Sequence, residues 1–576
     1  MKWQEKLQEW QNFVALDLDL QNELEQVSKQ SDLEDRFYRY LEFGTGGMRG
    51  ELGAGTNRIN NYTIKRIALG LARYIKENGP NACQSGVVIS YDNRHKSAEF
   101  AEWTARILAS CGIKVFLSDM LRPTPELSYL VRHYRAFAGV MITASHNPKQ
   151  YNGFKVYGSD GGQITLKTAK RLMDILENIT NELQITAKSR SYFEKNEMIT
   201  VFSEDADQGY IEELKNVIQN KQLVSKEGKN LAIIYTPLHG TGKVLIKKAF
   251  ATFGFDNLRL VLAQQEPDPD FSTVVSPNPE DSAAFTLALQ EAKQNAADIL
   301  IATDPDADRL GVVVFQNSQP VYLNGNQIGV LLLDYLMQQK SPTDLANYFL
   351  AKTIVTSDLG TKMAEKHGLQ VRNTLTGFKF IGEQIELSEQ KRDKKFLFGY
   401  EESFGYLISP FVRDKDAIQA ATLLAEVALV LKLAGYSLID RLEEIYQTYG
   451  YFVEDLETKV FLGKDGITKM AQLVENLRQK EVTQLAGESI VYKEDYGLGM
   501  QTNLVTHEVV ELTLPQSNVI KLILADESWV CVRPSGTEPK FKIYYSVNAP
   551  SKQAADEKMQ ALKNDFNKML TELSED

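Results

Sequence analysis

Residues 138–162 read AGVMITASHNPKQYNGFKVYGSDGG. An apolar run, Ala138–Ile142, ends in Thr143-Ala144-Ser145-His146-Asn147-Pro148, and the chain returns through Phe154-Lys155-Val156-Tyr157. Asn152-Gly153 readily supplies the positive φ of a tight hairpin, so the turn is expected there. A hydroxyl then sits at a strand end, with an imidazole beside it and an ammonium a few residues on. That set suits a serine that handles phosphate. The plainer alternative is that Ser145 and Asn147 only satisfy loop backbone.

Working outward, short apolar runs alternate with amphipathic stretches. Val87–Tyr91, 114–117 and 139–143 read as strands, and 98–110 as a helix. The pattern returns at 231–235, 298–302 and 396–399. Such alternation predicts α/β domains with mixed, largely parallel sheets, whose ligands gather where loops leave the carboxyl ends of strands. The polar stretch 189–208 reads as a first linker, 315–319 as the approach to another domain, and a third change falls near Gly450 after a helix at 438–446. Beyond Glu454, β-type runs (505–514, 519–524, 529–532, 541–547) precede a final helix, which predicts an α+β domain. The expected division is 1–205, 206–320, 321–450 and 451–576.

At 576 residues the chain is too long for one core. A net charge of −12 argues against a nucleic-acid partner but leaves room for a small anion held by local basic loops. The three cysteines, Cys83, Cys111 and Cys531, form no CxxC pair and fit reduced thiols. The polar start, 1–13, lacks a signal-peptide core, and the most apolar later segment, 421–435, carries Glu426 and Lys432. A cytoplasmic protein with no membrane partner is expected; oligomeric state is not encoded legibly.

Three further loops carry chemistry. The run 298–302 leads into Thr303-Asp304-Pro305-Asp306-Ala307-Asp308-Arg309. Carboxylates at alternating positions can converge on one hard cation, the oxygen chemistry Mg²⁺ prefers, and Arg309 adds an anion partner. An EF-hand is excluded, because Arg309 and Phe315 stand where its Gly and Glu would be. Gly399-Tyr400-Glu401-Glu402-Ser403-Phe404-Gly405 offers carboxylates and a hydroxyl suited to sugar hydroxyls. Arg533-Pro534-Ser535-Gly536-Thr537-Glu538-Pro539-Lys540 offers a guanidinium, hydroxyls and a possible backbone nest for phosphate. The glycine-rich stretch 43–50, with Thr45 and Arg49, can also bring a cation to phosphate. Gly240-Thr241-Gly242-Lys243 is not a P-loop: Pro237 and Val244 break the pattern. His133 and His239 read as packing or turn residues.

Taken in order, TASHNP, DPDADR, EESFG and RPSGTEPK resemble the four loops of the α-D-phosphohexomutase superfamily, and EESFG looks like its phosphoglucomutase branch. The resemblance implies three related α/β domains and a C-terminal α+β domain around a central cleft. It implies interconversion of α-D-glucose 1-phosphate and glucose 6-phosphate through glucose 1,6-bisphosphate, with a pentose 1-phosphate mutase as the alternative. By matching position, Ser145 is the phosphorylated serine; Asp304, Asp306, Asp308 and a phosphoryl oxygen on Ser145 hold Mg²⁺; Arg309 and His146 lie near that phosphate; Lys155 assists proton transfer. Thr45, Arg49, Thr376, Glu401, Ser403, Lys415, Arg533, Ser535, Gly536 and Thr537 are the implied substrate contacts. Phe378 departs from the pattern, standing where many relatives carry Trp. Two rivals remain at this stage: a phosphatase with Asp304 as nucleophile, and a sugar-phosphate-binding scaffold without turnover.

Overall fold

The computed structural model describes residues 2–44, 47–461, 466–534 and 540–575. Thr45, Ser535, Gly536 and Thr537, four of the expected substrate contacts, lie outside these residues. Contacts divide the chain into two units, one of residues 1–341, 347–349 and 377–438, the other of residues 342–346, 350–376 and 439–576.

In the first unit, the strands Val87–Tyr91, Val115–Ser118, Ala138–Ile142 and Ile199–Phe202 run parallel. Tyr151–Gly158 joins antiparallel to Ala138–Ile142, and Gly47–Glu51 pairs with it in turn. Every residue of Ala138–Ile142 is buried, which is why the run is continuously apolar instead of alternating. Helix Asn61–Glu77 covers this sheet; Asn60 caps it, accepting from the Tyr62 and Thr63 amides, and Thr63 returns a bond to the Asn60 amide. Its apolar stripe packs with helix Ser97–Ser110 into one core around Ile67, Leu71, Phe100 and Leu108.

A second sheet orders Gln319–Leu323, Leu310–Gln316, Ile299–Thr303, Ile233–Thr236 and Leu258–Leu260. Its buried central strand Ile299–Thr303 pairs parallel with Ile233–Thr236 and antiparallel with Leu310–Gln316. Strands Lys395–Glu401 and Gly405–Leu407 form a hairpin, followed by the buried helix Ala417–Leu433. Among the described residues no single helix is long and apolar enough to cross a membrane.

The second unit carries an antiparallel sheet built from Tyr451–Val460, Lys540–Ala549, Trp529–Pro534, Ile520–Leu524, Glu488–Asp495, Met500–Asn503 and Val509–Glu511. Helices Gly466–Gln479 and Lys552–Glu575 bury their apolar stripes against it. This is the α+β tail the β-type runs predict.

Three expectations need correction. Residues 189–208 are not a linker: helix Arg190–Lys195 and strand Ile199–Phe202 lie there, anchored by buried Phe193, Ile199 and Phe202. The segment 315–319 is a tight turn inside the second sheet, with Asn317 and Ser318 at positive φ, so that sheet runs past residue 320. Asn152-Gly153 lies within strand Tyr151–Gly158, and the turn falls earlier, in the serine loop.

A buried charge cluster joins the first two sheets' helices. Arg122 donates to Glu126 (2.8 Å) and to Asp207, and Lys248 to Asp207 (2.6 Å). Burial pushes the Glu126 carboxyl from 4.5 up to about 7, against the pull of Arg122. With the folded value raised, its stability contribution is full below the unfolded pKa and is lost as pH rises through about 7. Glu126→Gln, which is never charged, is therefore expected to gain about 3 kcal/mol over the parent at pH 8 and little at pH 5, read from urea melts.

Candidate active site

Two parallel-type strands aim their carboxyl ends at one place. Ala138–Ile142 delivers the serine loop, and Ile299–Thr303 delivers the acidic loop. Ser145 is buried with φ 52°, a left-handed conformation that costs a non-glycine residue about 1 kcal/mol or more. Its amide donates to Thr143 Oγ1 (2.8 Å), its Oγ donates to Asp304 Oδ2 (2.6 Å), and His146 Nδ1 lies 3.2 Å away. Burial, with Arg309 and Arg49 nearby, holds the imidazole well below its ordinary pKa, so His146 is neutral at pH 7.

The loop's conformation is held by a residue that motif reading missed. Arg94, buried, donates to the carbonyls of Ser145 (2.5 Å), Asn147, Pro148 (2.9 Å) and Tyr151 (3.0 Å). Four carbonyls on one guanidinium fix the turn. Gly153 contributes through close approach, not through φ: a Cβ there would meet Met48 O and Thr143 O, both at 2.6 Å.

In the acidic loop, Asp304 Oδ1 accepts from the Asp308 and Arg309 amides (3.0 Å each), and Ala307 takes φ 52°. Thr241 clamps the loop from outside, its amide (2.8 Å) and Oγ1 (2.9 Å) both donating to Pro305 O. Gly240 lets that segment pack on Pro305, where a side chain would clash. The rejected P-loop stretch thus serves to brace the acidic loop. Thr124 reaches in from the start of helix Thr124–His133, its Oγ1 donating to Asp306 Oδ2 (2.8 Å) and its amide to Asp306 O (2.9 Å).

Oxygens of Asp304, Asp306 and Asp308 lie within 4.8 Å of one another, and all three residues are buried. Lys155 Nζ stands 2.8 Å from Asp306 and 3.5 Å from Asp308, and Lys415 Nζ stands 3.0 Å from Asp308. Burial and the neighbouring carboxylates raise Asp304; at Asp306 burial also raises, but the Lys155 charge together with hydrogen bonds from Asp304, Lys155 and Thr124 holds it low. Burial would lower both lysines, but the carboxylates overcome it and keep them ammonium. Asp306 Oδ1 and Asp308 Oδ1 are buried without a hydrogen-bond partner. Two orphaned carboxylate oxygens in a cluster of three are the donor set of a hard divalent cation.

Arg309 is ion-paired with Glu280 and lies close enough to His146 to lower its imidazole. It also makes a β-bridge to Gly405, and the Leu310 amide donates to Phe404 O (3.0 Å), so the acidic loop and the 401–405 turn are built on each other. Glu401 is buried and accepts from the Gly377 amide (2.8 Å); burial, then Glu402, raises its carboxyl to about 7. Ser403 sits half-buried in that turn. Arg49 is exposed on Gly47–Glu51 and donates to Asn147 Oδ1 (3.0 Å) in the serine loop. The structure therefore groups Ser145, His146, Lys155, Arg49, Asp304, Asp306, Asp308, Arg309, Glu401, Ser403 and Lys415 within the first unit. Thr376 and Arg533 belong to the second, Arg533 near the end of strand Trp529–Pro534. His239 bonds Thr273 and Glu266 O, and His133 stacks on Tyr129, both as expected of packing residues.

A fold of this kind with a serine against a carboxylate triad defines a phosphate-handling α/β enzyme. Models of phosphoglucomutase/phosphomannomutase alpha/beta/alpha domains I, II and III match residues 40–183, 208–317 and 324–449. The chain is 40% identical over 509 residues to a phosphoglucomutase of Staphylococcus epidermidis (88% of this chain, 91% of the relative). It is 40% identical over 543 residues to one of Staphylococcus aureus strain USA300 (93% and 95%). Among solved structures it resembles a putative phosphomannomutase from Thermus thermophilus, with TM-score 0.67 and 25% identity over 92% of this chain and 99% of that one. It shares its fold with the phosphoglucomutase parafusin from Paramecium (TM-score 0.65, 18% identity, 93% and 94% covered). The chain belongs to the phosphoglucomutase/phosphomannomutase family.

Gly153→Ala tests the close approach that shapes the serine loop. It is expected to lower stability by about 2 kcal/mol in denaturant melts, since two carbonyls must move to admit one methyl.

Proposed function

We propose that this protein interconverts α-D-glucose 1-phosphate and glucose 6-phosphate, storing a phosphoryl group on Ser145. The chain is an enzyme of the phosphoglucomutase class, an intramolecular phosphotransferase; its relatives at 40% identity carry that name over nine-tenths of their length. The observation that carries the serine's part is Ser145 Oγ at 2.6 Å from Asp304, on a strained loop pinned by Arg94.

The chemistry follows from placement and charge more than from covalent assistance. The bond from phosphorus to Ser145 Oγ breaks as a bond forms to a sugar hydroxyl, giving glucose 1,6-bisphosphate. Lys155 Nζ, held as an ammonium, gives a proton to Ser145 Oγ as the phosphorus–oxygen bond breaks and regains one from the sugar hydroxyl, so the transfer balances. Lys155 and Arg309 spread positive charge over the transferring group. The sugar then presents its other phosphate, and the reverse transfer reloads Ser145. Asp304, Asp306 and Asp308, with a phosphoryl oxygen on Ser145, would hold Mg²⁺, which would supply further charge neutralisation. Glu401 and Ser403 are assigned to sugar hydroxyls, His146 to the phosphoserine side, and Thr45, Arg49, Thr376 and Lys415 to further substrate contacts. Arg533, Ser535, Gly536 and Thr537 are assigned to the phosphate that does not react. A division into four domains is part of the same reading, with the second domain carried past Leu323, the end of the last strand of its sheet. Scattered thiols and sugar-phosphate substrates favour the cytoplasm.

An aspartyl-phosphate route would make Asp304 the nucleophile, whereas its Oδ1 is spent on holding the loop's amides and its Oδ2 on the Ser145 hydroxyl, the arrangement of a ligand that orients the serine. Ser145→Ala is expected to lose at least about 1000-fold in kcat in a coupled assay with Mg²⁺ and a trace of glucose 1,6-bisphosphate. Wild-type protein incubated with the bisphosphate should gain one phosphate by intact mass, resistant to hydroxylamine; a labile adduct would identify an aspartate instead. Asp306→Asn is expected to raise the Mg²⁺ concentration for half-activity about tenfold or more. A panel of hexose and pentose 1-phosphates decides the sugar, and preference for ribose 1-phosphate would overturn the hexose assignment.

A further inference from the structure

Lys415 is a tightly held side chain of the first unit whose position the transfer chemistry does not explain. Its ammonium lies between two buried carboxylates, Asp308 Oδ2 at 3.0 Å and Asp414 Oδ1 at 3.2 Å. They differ in kind. Asp308 belongs to the triad and keeps Oδ1 without a hydrogen-bond partner. Asp414 has both oxygens committed to the chain: Oδ2 accepts from Tyr157 OH (2.8 Å) and Gln163 Nε2 (2.7 Å), and Oδ1 from the Lys415 amide (2.8 Å) and Nζ (3.2 Å). Asp414 is 1% exposed and is thus an anchor, not a ligand in waiting.

The remaining contacts act in the same sense. The Lys415 stem packs so closely on Gly405 that a side chain there would displace it, and its ammonium stands 5.6 Å from the Phe378 ring centroid. Tyr157 lies two residues from Lys155 on strand Tyr151–Gly158, so both project from one face of it. One strand therefore sets Lys155 directly against the triad and, through Tyr157 and Asp414, sets Lys415 there too.

We propose that Asp414 is a positioning residue, locked by Tyr157 and Gln163, that holds the Lys415 ammonium at the reacting end of the site, beside the triad. The proposal rests on the assignment of Lys415 to substrate. It has a physical basis: a lysine stem is flexible, and an ammonium whose only partner is a triad carboxylate has no fixed station once that carboxylate is taken by another cation. A second carboxylate, itself immobilised, supplies that station without competing for the cation.

The test is a double-mutant cycle of Asp414→Asn and Lys415→Met in the glucose 1-phosphate assay, with thermal unfolding of each variant. Asp414→Asn is expected to lower kcat about tenfold or more while KM for glucose 1-phosphate changes less than about threefold, because the reacting end is disturbed and the distant phosphate is not. In the Lys415→Met background, Asp414→Asn should cost less than about twofold, since nothing is left to position. Independent, multiplying effects would make Asp414 merely structural and overturn the proposal, as would an unchanged kcat in Asp414→Asn. Normal activity in Lys415→Met would overturn it as well, while Ser145→Ala reports separately on the phosphoserine reading. Should Asp414→Asn fail to fold, Tyr157→Phe, which removes one hydrogen bond, replaces it in the same cycle with an expected loss of about threefold, again absent with Lys415→Met.

Discussion

Three carboxylates buried on one five-residue loop are the constraint around which the first unit is organised. Isolated, each buried carboxylate would cost several kcal/mol, and packed together they repel. Asp304, Asp306 and Asp308 persist because separate segments bring compensation to them. Lys155 comes from strand Tyr151–Gly158, Lys415 precedes helix Ala417–Leu433, Thr124 donates from the start of helix Thr124–His133 and Ser145 from the loop after strand Ala138–Ile142. The arrangement leaves two carboxylate oxygens open, which suits a divalent cation better than it suits a purely structural ion-pair cluster.

The serine is presented by a similar logic. A left-handed Ser145 is unfavourable by itself, and its conformation is imposed by Arg94 from below, by Thr143 at its amide and by Asp304 at its hydroxyl. Strain of this kind holds the hydroxyl in one orientation. The bracing extends outward: Thr241 and Gly240 grip Pro305, while Leu310 and Arg309 knit the acidic loop to the 401–405 turn. Loops from three stretches of chain thus share one rigid frame, and Asp414 extends that frame to Lys415.

Much of this was legible in residue order. Apolar runs at Val87–Tyr91 and Ala138–Ile142 marked strands because a strand covered on both faces has to be apolar throughout. The acidic loop was readable because carboxylates at alternating positions have few other uses. The illegible parts depended on long-range pairing. Residues 189–208 look polar, yet three buried side chains draw them into the first sheet. Asn152-Gly153 has turn chemistry, but its glycine is needed where two carbonyls crowd the strand. Arg94 and Thr124 belong to no recognisable motif, because what they bind, loop carbonyls and Asp306, lies far away in sequence.

By itself, then, the sequence determined the α/β alternation, the identities of the serine and carboxylate loops, and the kind of chemistry they can support, since those depend on local residue type and spacing. Only the tertiary structure decided that Arg309 pairs with Glu280, that Asp414 is spent on Tyr157, Gln163 and Lys415, and that Ser145 meets Asp304 across 159 residues of chain. Electrostatic partnership acts through space across a low-dielectric interior, and nothing in the order of residues along the chain specifies which charges will be buried side by side.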